Sequence, residues 1–200
     1  MNKFETAVIL AGGKSSRMGF DKQLLKINDE LIYQGVSKSL KAMFSDIAVV
    51  TNTPNLYENS SIRVLKDEYK DMGPLAGIHV ALKHSQSEYV YLLACDMPVI
   101  SPSYVSYMKR RIEETGADIC VSERNGKIEP FNAFYSTSLL SDLEKRLEDK
   151  NSSLFKFISS ANTLVISQSD AENYDNALEM FTNLNTKGEY DGFLKKVSSR

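Results

Sequence analysis

The chain has 200 residues, 42% of them hydrophobic and 25% charged, and a formal net charge of −2. This make-up fits one water-exposed globular domain with a sizeable core, and the near-neutral balance gives no electrostatic footprint for wrapping DNA or RNA. No apolar run approaches the roughly 18 residues of a membrane span, so neither nucleic acid nor a membrane is expected as partner.

The two cysteines, Cys95 and Cys120, form no C-x-x-C pair and no disulfide framework. Without a signal-peptide layout at the N-terminus, a reducing cytoplasm is the expected location. No repeat, low-complexity tract or linker breaks the chain. Residues 1–197 are therefore expected to form one domain, with 198–200 a disordered tail.

Apolar β-like runs recur at 7–10, 47–50, 62–65, 89–94, 118–122 and 163–166. Helix-period stretches separate most of them. Val36, Leu40, Met43 and Phe44 mark one helical face, and Leu75, Ile78 and Leu82 mark another after Gly73-Pro74. Ser101-Pro102 reads as N-cap and first helical position of a helix that Gly116 ends. Leu139, Leu140, Leu143 and Leu147 predict an amphipathic helix, and a short helix follows within 152–161. Thr186 and Glu189 form a capping box ahead of Tyr190, Phe193, Leu194 and Val197. Such alternation predicts a mainly parallel sheet covered on both faces, an α/β three-layer domain. Ligands of such sheets bind outside the carboxyl ends of the strands.

The first strand runs straight into LAGGKSSRMGFDK, residues 10–22. Adjacent glycines allow a sharp turn and close backbone approach, successive N–H groups cradle an anion, and Arg17 and Lys22 add charge. The P-loop spacing fails because Val8 stands where its first glycine belongs, and the Rossmann G-x-G-x-x-G fails because Gly12 and Gly13 are adjacent. Residues 24–33 read as a small ribbon reversing at Asn28-Asp29. Asn52 either contacts a ligand or shapes the turn fixed by Pro54, and spacing favours the turn. Asp67, at the end of the third strand, can take a ribose hydroxyl or a metal's water, or cap its turn. Gly73-Pro74 opens a helix whose N–H groups are available to a ligand. Asp96 leaves the fourth, apolar and central strand as a lone carboxylate suited to Mg²⁺, the alternative being an Asx turn before Pro98. Cys95 reads as a small buried hydrophobe rather than a nucleophile. His79 and His84 read as surface or partly buried structural residues, and Lys109-Arg110-Arg111 as a solvated helix face. Residues 123–127 form a polar turn, after which 129–135 starts another extended segment.

Leu10, Ala11, Gly12, Gly13, Ser15, Arg17, Met18, Gly19 and Lys22 match the signature L-A-[GA]-G-x-S-x-R-M-G-x-x-K of the small α/β nucleotidyltransferases. Together with GPLAGI at 73–78, CDMP at 95–98, residues 129–135 and N-x-N-T at 183–186, the chain resembles the MobA-type molybdenum cofactor guanylyltransferases. That resemblance implies a Rossmann-like three-layer α/β/α nucleotidyltransferase domain. It also implies transfer of GMP from GTP to the phosphate of Mo-molybdopterin, with release of pyrophosphate. Leu10, Ala11, Gly12, Gly13, Lys22, Asn52, Asp67 and Asp96 would bind the nucleotide, with Arg17 near its phosphates and Mg²⁺ on Asp96. Arg17, Lys22 and Asp96 would form the catalytic set. Glu129, Asn132, Asn183 and Asn185 would lie on the molybdopterin side, where Lys187-Gly188 departs from the family's usual Pro-Glu. Other molybdenum cofactor biosynthesis proteins and apo-molybdoenzymes are implied as partners. Gly12 in place of the LAAG alanine of cytidylyltransferases favours guanine, since a methyl there would crowd a base over the turn. A cytidylyl- or sugar-nucleotide transferase and a non-catalytic nucleotide-binding module are the alternatives, and Arg17, Lys22 and Asp96 together argue against the second. The reading requires Asp96 to share one rim with Gly13 and Lys22.

Overall fold

The computed structural model describes residues 2–12, 21–58, 60–69, 71–175 and 178–199. Gly13 and Arg17 lie outside the described residues. In chain order the elements are β1 (Thr6–Leu10), β2 (Lys26–Ile27), β3 (Glu30–Leu31), α1 (Ile32–Lys41), β4 (Asp46–Val50), β5 (Arg63–Leu65), α2 (Pro74–Lys83) and β6 (Tyr89–Ala94). They continue with α3 (Pro102–Thr115), β7 (Ile119–Arg124), β8 (Lys127–Ser136), α4 (Leu140–Glu148), α5 (Leu154–Ser160), β9 (Thr163–Ile166), α6 (Gln168–Glu172) and α7 (Lys187–Ser198).

Seven strands form one sheet in the order β5-β4-β1-β6-β8-β7-β9. Strands β5, β4, β1 and β6 are parallel to one another, and β7 is parallel to β9. Alternate residues of β1 divide between two cores. Ala7 and Ile9 pack with residues of α1 and α3, whereas Val8 and Leu10 pack with residues of α2, α4 and α5. A strand apolar at every position is what a sheet covered on both faces demands. The central strand β6 repeats the pattern with Val90 and Leu92 on one side and Tyr91 and Leu93 on the other.

The mainly parallel expectation has one exception. Strand β8 runs antiparallel to both β6 and β7. The cause is local: only Asn125 and Gly126 separate β7 from β8, both at positive φ (51° and 72°), and a turn that short can only return the chain antiparallel. Glu123 and Arg124, expected in the turn, therefore belong to β7. Met43 and Phe44 lie beyond the end of α1, and Phe44 stacks on Tyr91 at 5.3 Å.

Other boundaries follow their chemistry. Ser101 Oγ accepts the Tyr104 N–H at the start of α3, and Gly116 closes it in the left-handed region. Asn28 and Asp29 take positive φ between β2 and β3, the ribbon's tight turn. At α7, Thr186 Oγ1 accepts the Glu189 N–H as N-cap, while Glu189 Oε2 reaches back to accept from the Thr186 hydroxyl and from the N–H of Asn185, one residue ahead of the position a capping box uses. This helix runs through Ser198, one residue into the segment expected as a tail. No helix among the described residues is long and apolar enough to cross a membrane.

The connectivity fixes where a ligand fits. From β1 the chain moves outward through β4 to β5, then returns to place β6 on the other side of β1. The strand order thus reverses between β1 and β6, and the crevice at their carboxyl ends is the binding position of open α/β sheets.

Leu92 is fully buried at the centre of the sheet. Leu92→Ala is expected to lower unfolding free energy by about 3 kcal/mol, read as a shift in the urea midpoint at unchanged slope.

Candidate active site

A cleft of about 1030 Å³ opens at that crevice. Its floor is Leu10, Ala11 and Gly12 from the end of β1 and Ala94, Cys95 and Asp96 from the end of β6. The Cys95 N–H donates to the Leu10 carbonyl at 3.0 Å, so pairing of the two strands continues to the lip. Asp21, Lys22, Gln23, Asn52 and Thr53 form one wall; Asp67, Tyr69, Gly73, Pro74, Ala76 and Gly77 form the other.

Lys22 and Asp96 meet directly, Nζ to Oδ2 at 2.7 Å, with side chains 21% and 9% exposed. The same ammonium donates to Asn185 Oδ1 at 2.6 Å. Asp96 is tied to that distant segment a second time, since its carbonyl accepts the Leu184 N–H at 3.0 Å. The required proximity of Asp96 and Lys22 is thus met, and the N-x-N segment closes on the same rim.

Across the cleft, Asp67 approaches the turn after β1 so closely that a Cβ on Gly12 would lie 3.6 Å from its Oδ2. A Cβ on Gly77 would meet Leu10 Cδ2 at 3.3 Å and Asp67 Oδ1 at 3.9 Å. Oδ1 is buried and has no hydrogen-bond partner among the described residues. Burial pushes the Asp67 carboxyl above the usual carboxylate range. A carboxylate with an unspent acceptor at the edge of a cleft is ready for a donor that arrives with a ligand. Gly73 holds φ 60° and ψ −147°, a region open essentially to glycine alone, and this starts α2 at Pro74 on the cleft wall.

Burial pushes the Cys95 thiol up to about 12, which keeps it protonated and agrees with its reading as a hydrophobe. Cys95 and Cys120 are both free. Asn52 is exposed on the cleft wall.

A second cleft, about 390 Å³, adjoins Asn185 and is lined by Arg124, Phe181, Thr182, Asn183, Phe193 and Lys196 among others. Glu129 lines neither cleft; it ion-pairs with Arg124 at 2.9 Å and holds that guanidinium at the second one. Asn132 requires a correction. It is 1% exposed, accepts a hydrogen bond from the Tyr91 hydroxyl and donates to the Met180 carbonyl at 3.2 Å. Both ends of its amide are spent inside the protein, so it braces β8 against 179–181 instead of facing a ligand. His79 also departs from expectation. It is 1% exposed, edge-on to Tyr69 at 5.0 Å and 3.3 Å from Glu144 across to α4.

Sequence reading missed Gln23, Arg124 and Lys196. Arg124 was hidden in a supposed turn, and Lys196, one of three exposed lysines on α7, meets Glu179 at 2.5 Å. Gln23 beside the signature lysine carried no signal beyond its position.

A glycine at the end of β1, a lysine and two carboxylates at the switch point of a mainly parallel sheet define the site of an α/β nucleotidyltransferase fold. Residues 7–164 match the family model of the MobA-like NTP transferase domain, and the chain belongs to that family. It is 45% identical over 189 residues to the molybdenum cofactor guanylyltransferase of Syntrophotalea carbinolica, covering 94% of this chain and 90% of that one. It is 39% identical over 191 residues to a probable molybdenum cofactor guanylyltransferase of Peptoclostridium acidaminophilum, covering 93% and 86%. The fold superposes on the crystal structure of molybdopterin-guanine dinucleotide biosynthesis protein A from Archaeoglobus fulgidus with a TM-score of 0.86 at 21% identity, over 98% of this chain and 100% of that one.

Because its carboxyl is raised by burial, Asp67 stabilises the fold most when protonated, at low pH, and that contribution is lost as pH rises through its folded-state value. Asp67→Asn is therefore expected to melt higher than wild type at neutral pH, with the gap closing in acid, while binding nucleotide more weakly. Melting curves from pH 4 to 8 check this.

Proposed function

We propose that this protein is a molybdenum cofactor guanylyltransferase, transferring GMP from GTP to the phosphate of Mo-molybdopterin and releasing pyrophosphate. The observation that carries the reading is the shared ammonium of Lys22, bonded at once to Asp96 on the nucleotide cleft and to Asn185 on the second cleft. One cation at the junction of two clefts suits a reaction that joins two phosphate-bearing substrates.

GTP would lie over Leu10, Ala11 and Gly12, with Asp67 accepting from the nucleoside and Asn52 on the opposite wall. The signature assigns Gly13 to the nucleotide and Arg17 to its phosphates. Molybdopterin would occupy the second cleft, with Asn183, Asn185, Arg124 and Lys196 supplying donors to its polar groups and phosphate. Glu129 serves there by orienting Arg124. The attacking phosphate oxygen is already an anion, so no general base is assigned. In-line attack on the α-phosphorus needs alignment and neutralisation of charge on the departing pyrophosphate, which fall to Lys22, Arg17 and the N–H groups of the turn.

Mg²⁺ fits the donors present. Asp96 is a hard oxygen donor on the cleft, no cluster of three or more ligating side chains exists among the described residues, and Mg²⁺ commonly takes only one or two carboxylates beside phosphates and water. Asp96 would hold the ion, which when bound neutralises phosphate charge. Delivery of the product to apo-molybdoenzymes, directly or through other proteins of the cofactor's biosynthesis, follows from this activity.

A thermal-shift titration with GTP, CTP and UTP, each with Mg²⁺, tests the nucleotide. GTP is expected to raise the midpoint well above the other two; an equal rise with CTP overturns guanine selectivity. Lys22→Ala is expected to lower kcat by about 10²-fold or more in a pyrophosphate-release assay with GTP and Mo-molybdopterin. Asp96→Asn is expected to abolish Mg²⁺-dependent turnover, and near-normal activity would remove the metal from Asp96.

A further inference from the structure

Gln23 follows Lys22 and lies on the same wall of the nucleotide cleft as Asn52 and Thr53. Its side-chain carbonyl accepts from three hydroxyls: Thr51 Oγ1 at 2.8 Å, Thr53 Oγ1 at 3.1 Å and Tyr57 OH at 3.0 Å. All three belong to the segment that follows β4. Thr51 and Tyr57 are 2% and 1% exposed, so water does not compete for their protons.

The proton directions can be assigned. The amide oxygen can only accept, so each hydroxyl bonded to it donates, while Thr51 Oγ1 also accepts the Thr53 N–H at 3.0 Å and lies 3.1 Å from Thr53 Oγ1. The Tyr57 phenol is pushed up by burial and stays a donor. The other end of the amide faces Asp21, with Nε2 at 3.3 Å from both carboxylate oxygens. Asp21 in turn caps the short turn holding Lys22, its Oδ1 accepting the Gln23 N–H at 3.0 Å.

We propose that Gln23 is a positioning residue for the nucleotide: its amide locks the segment carrying Lys22 to the segment carrying Asn52, and so fixes both against the same ligand. Only an amide meets both demands, acceptor toward the hydroxyls and donor toward Asp21. A leucine loses both. A glutamate keeps the hydroxyls but sets a carboxylate against Asp21, a repulsion that an asparagine at position 21 relieves by reversing donor and acceptor. The inference rests on the nucleotide cleft assigned above.

The test measures GTP affinity with Mg²⁺ by calorimetry on the full chain for wild type, Gln23→Leu, Gln23→Glu and the double variant Asp21→Asn/Gln23→Glu, with urea midpoints alongside. Gln23→Leu and Gln23→Glu are expected to weaken binding about tenfold, the scale of one lost buried hydrogen bond, and the double variant to recover to within about threefold of wild type. A lowered urea midpoint with unchanged GTP affinity in Gln23→Leu overturns the positioning role, as does a double variant no better than Gln23→Glu. Wild-type chain that binds no GTP overturns the nucleotide reading itself, and with it this inference; the loss of the positioning role alone leaves wild-type binding intact.

Discussion

The ammonium of Lys22 is the point on which three remote stretches of chain converge. It is held by the carboxylate of Asp96 and the amide of Asn185, and the backbone of Asp96 is bonded again to Leu184. Charge-assisted bonds of this kind are shorter and stronger than neutral ones, but their value depends on geometry, because each partner gives up hydration. The rest of the fold supplies that geometry. Strand β6 must end at the centre of the sheet to deliver Asp96, and the capped start of α7 must lie against it to deliver Asn185.

The opposite wall shows a complementary constraint. Asp67 packs beside the first turn, where a methyl at position 12 would only touch its Oδ2, whereas a methyl at 77 would press on Leu10. Asp67 Oδ1 is buried without a hydrogen-bond partner among the described residues, and burial raises the carboxyl. Native folds leave few such groups unsatisfied, and they concentrate where a ligand completes them. Stability is given up on one wall of the cleft while the other wall is tightly cross-linked through Gln23. The cleft is therefore firmly cross-linked around Gln23 and, among the described residues, underpaired at Asp67.

Much of the fold was legible because its determinants are local. The central strand 89–94, the limits of α3, the Asn28-Asp29 ribbon and the Thr186–Glu189 cap each announce themselves within a few residues. The signature lysine could be recognised for the same reason, and Lys22 does meet Asp96 on one rim. What escaped the sequence was set by partners far along the chain. Nothing near Asn132 shows that Tyr91 and Met180 will consume its amide, and nothing near His79 shows that α4 and Tyr69 will bury it. The antiparallel insertion of β8 was visible as Asn125-Gly126, but its place between β6 and β7 depends on pairing across the whole sheet. Gln23 is the sharpest case, since its three hydroxyl partners become neighbours only after β1 and β4 have paired.

The central claim is that two phosphate-bearing substrates meet at Lys22, with bond breakage between the α- and β-phosphates of GTP. Supplying Mo-molybdopterin with GTP labelled separately at the α- and γ-phosphates measures this directly. The account predicts α-label in the pterin product and γ-label in pyrophosphate, one of each per turnover. Label released as free orthophosphate, or a product that carries none of the α-label, would contradict it.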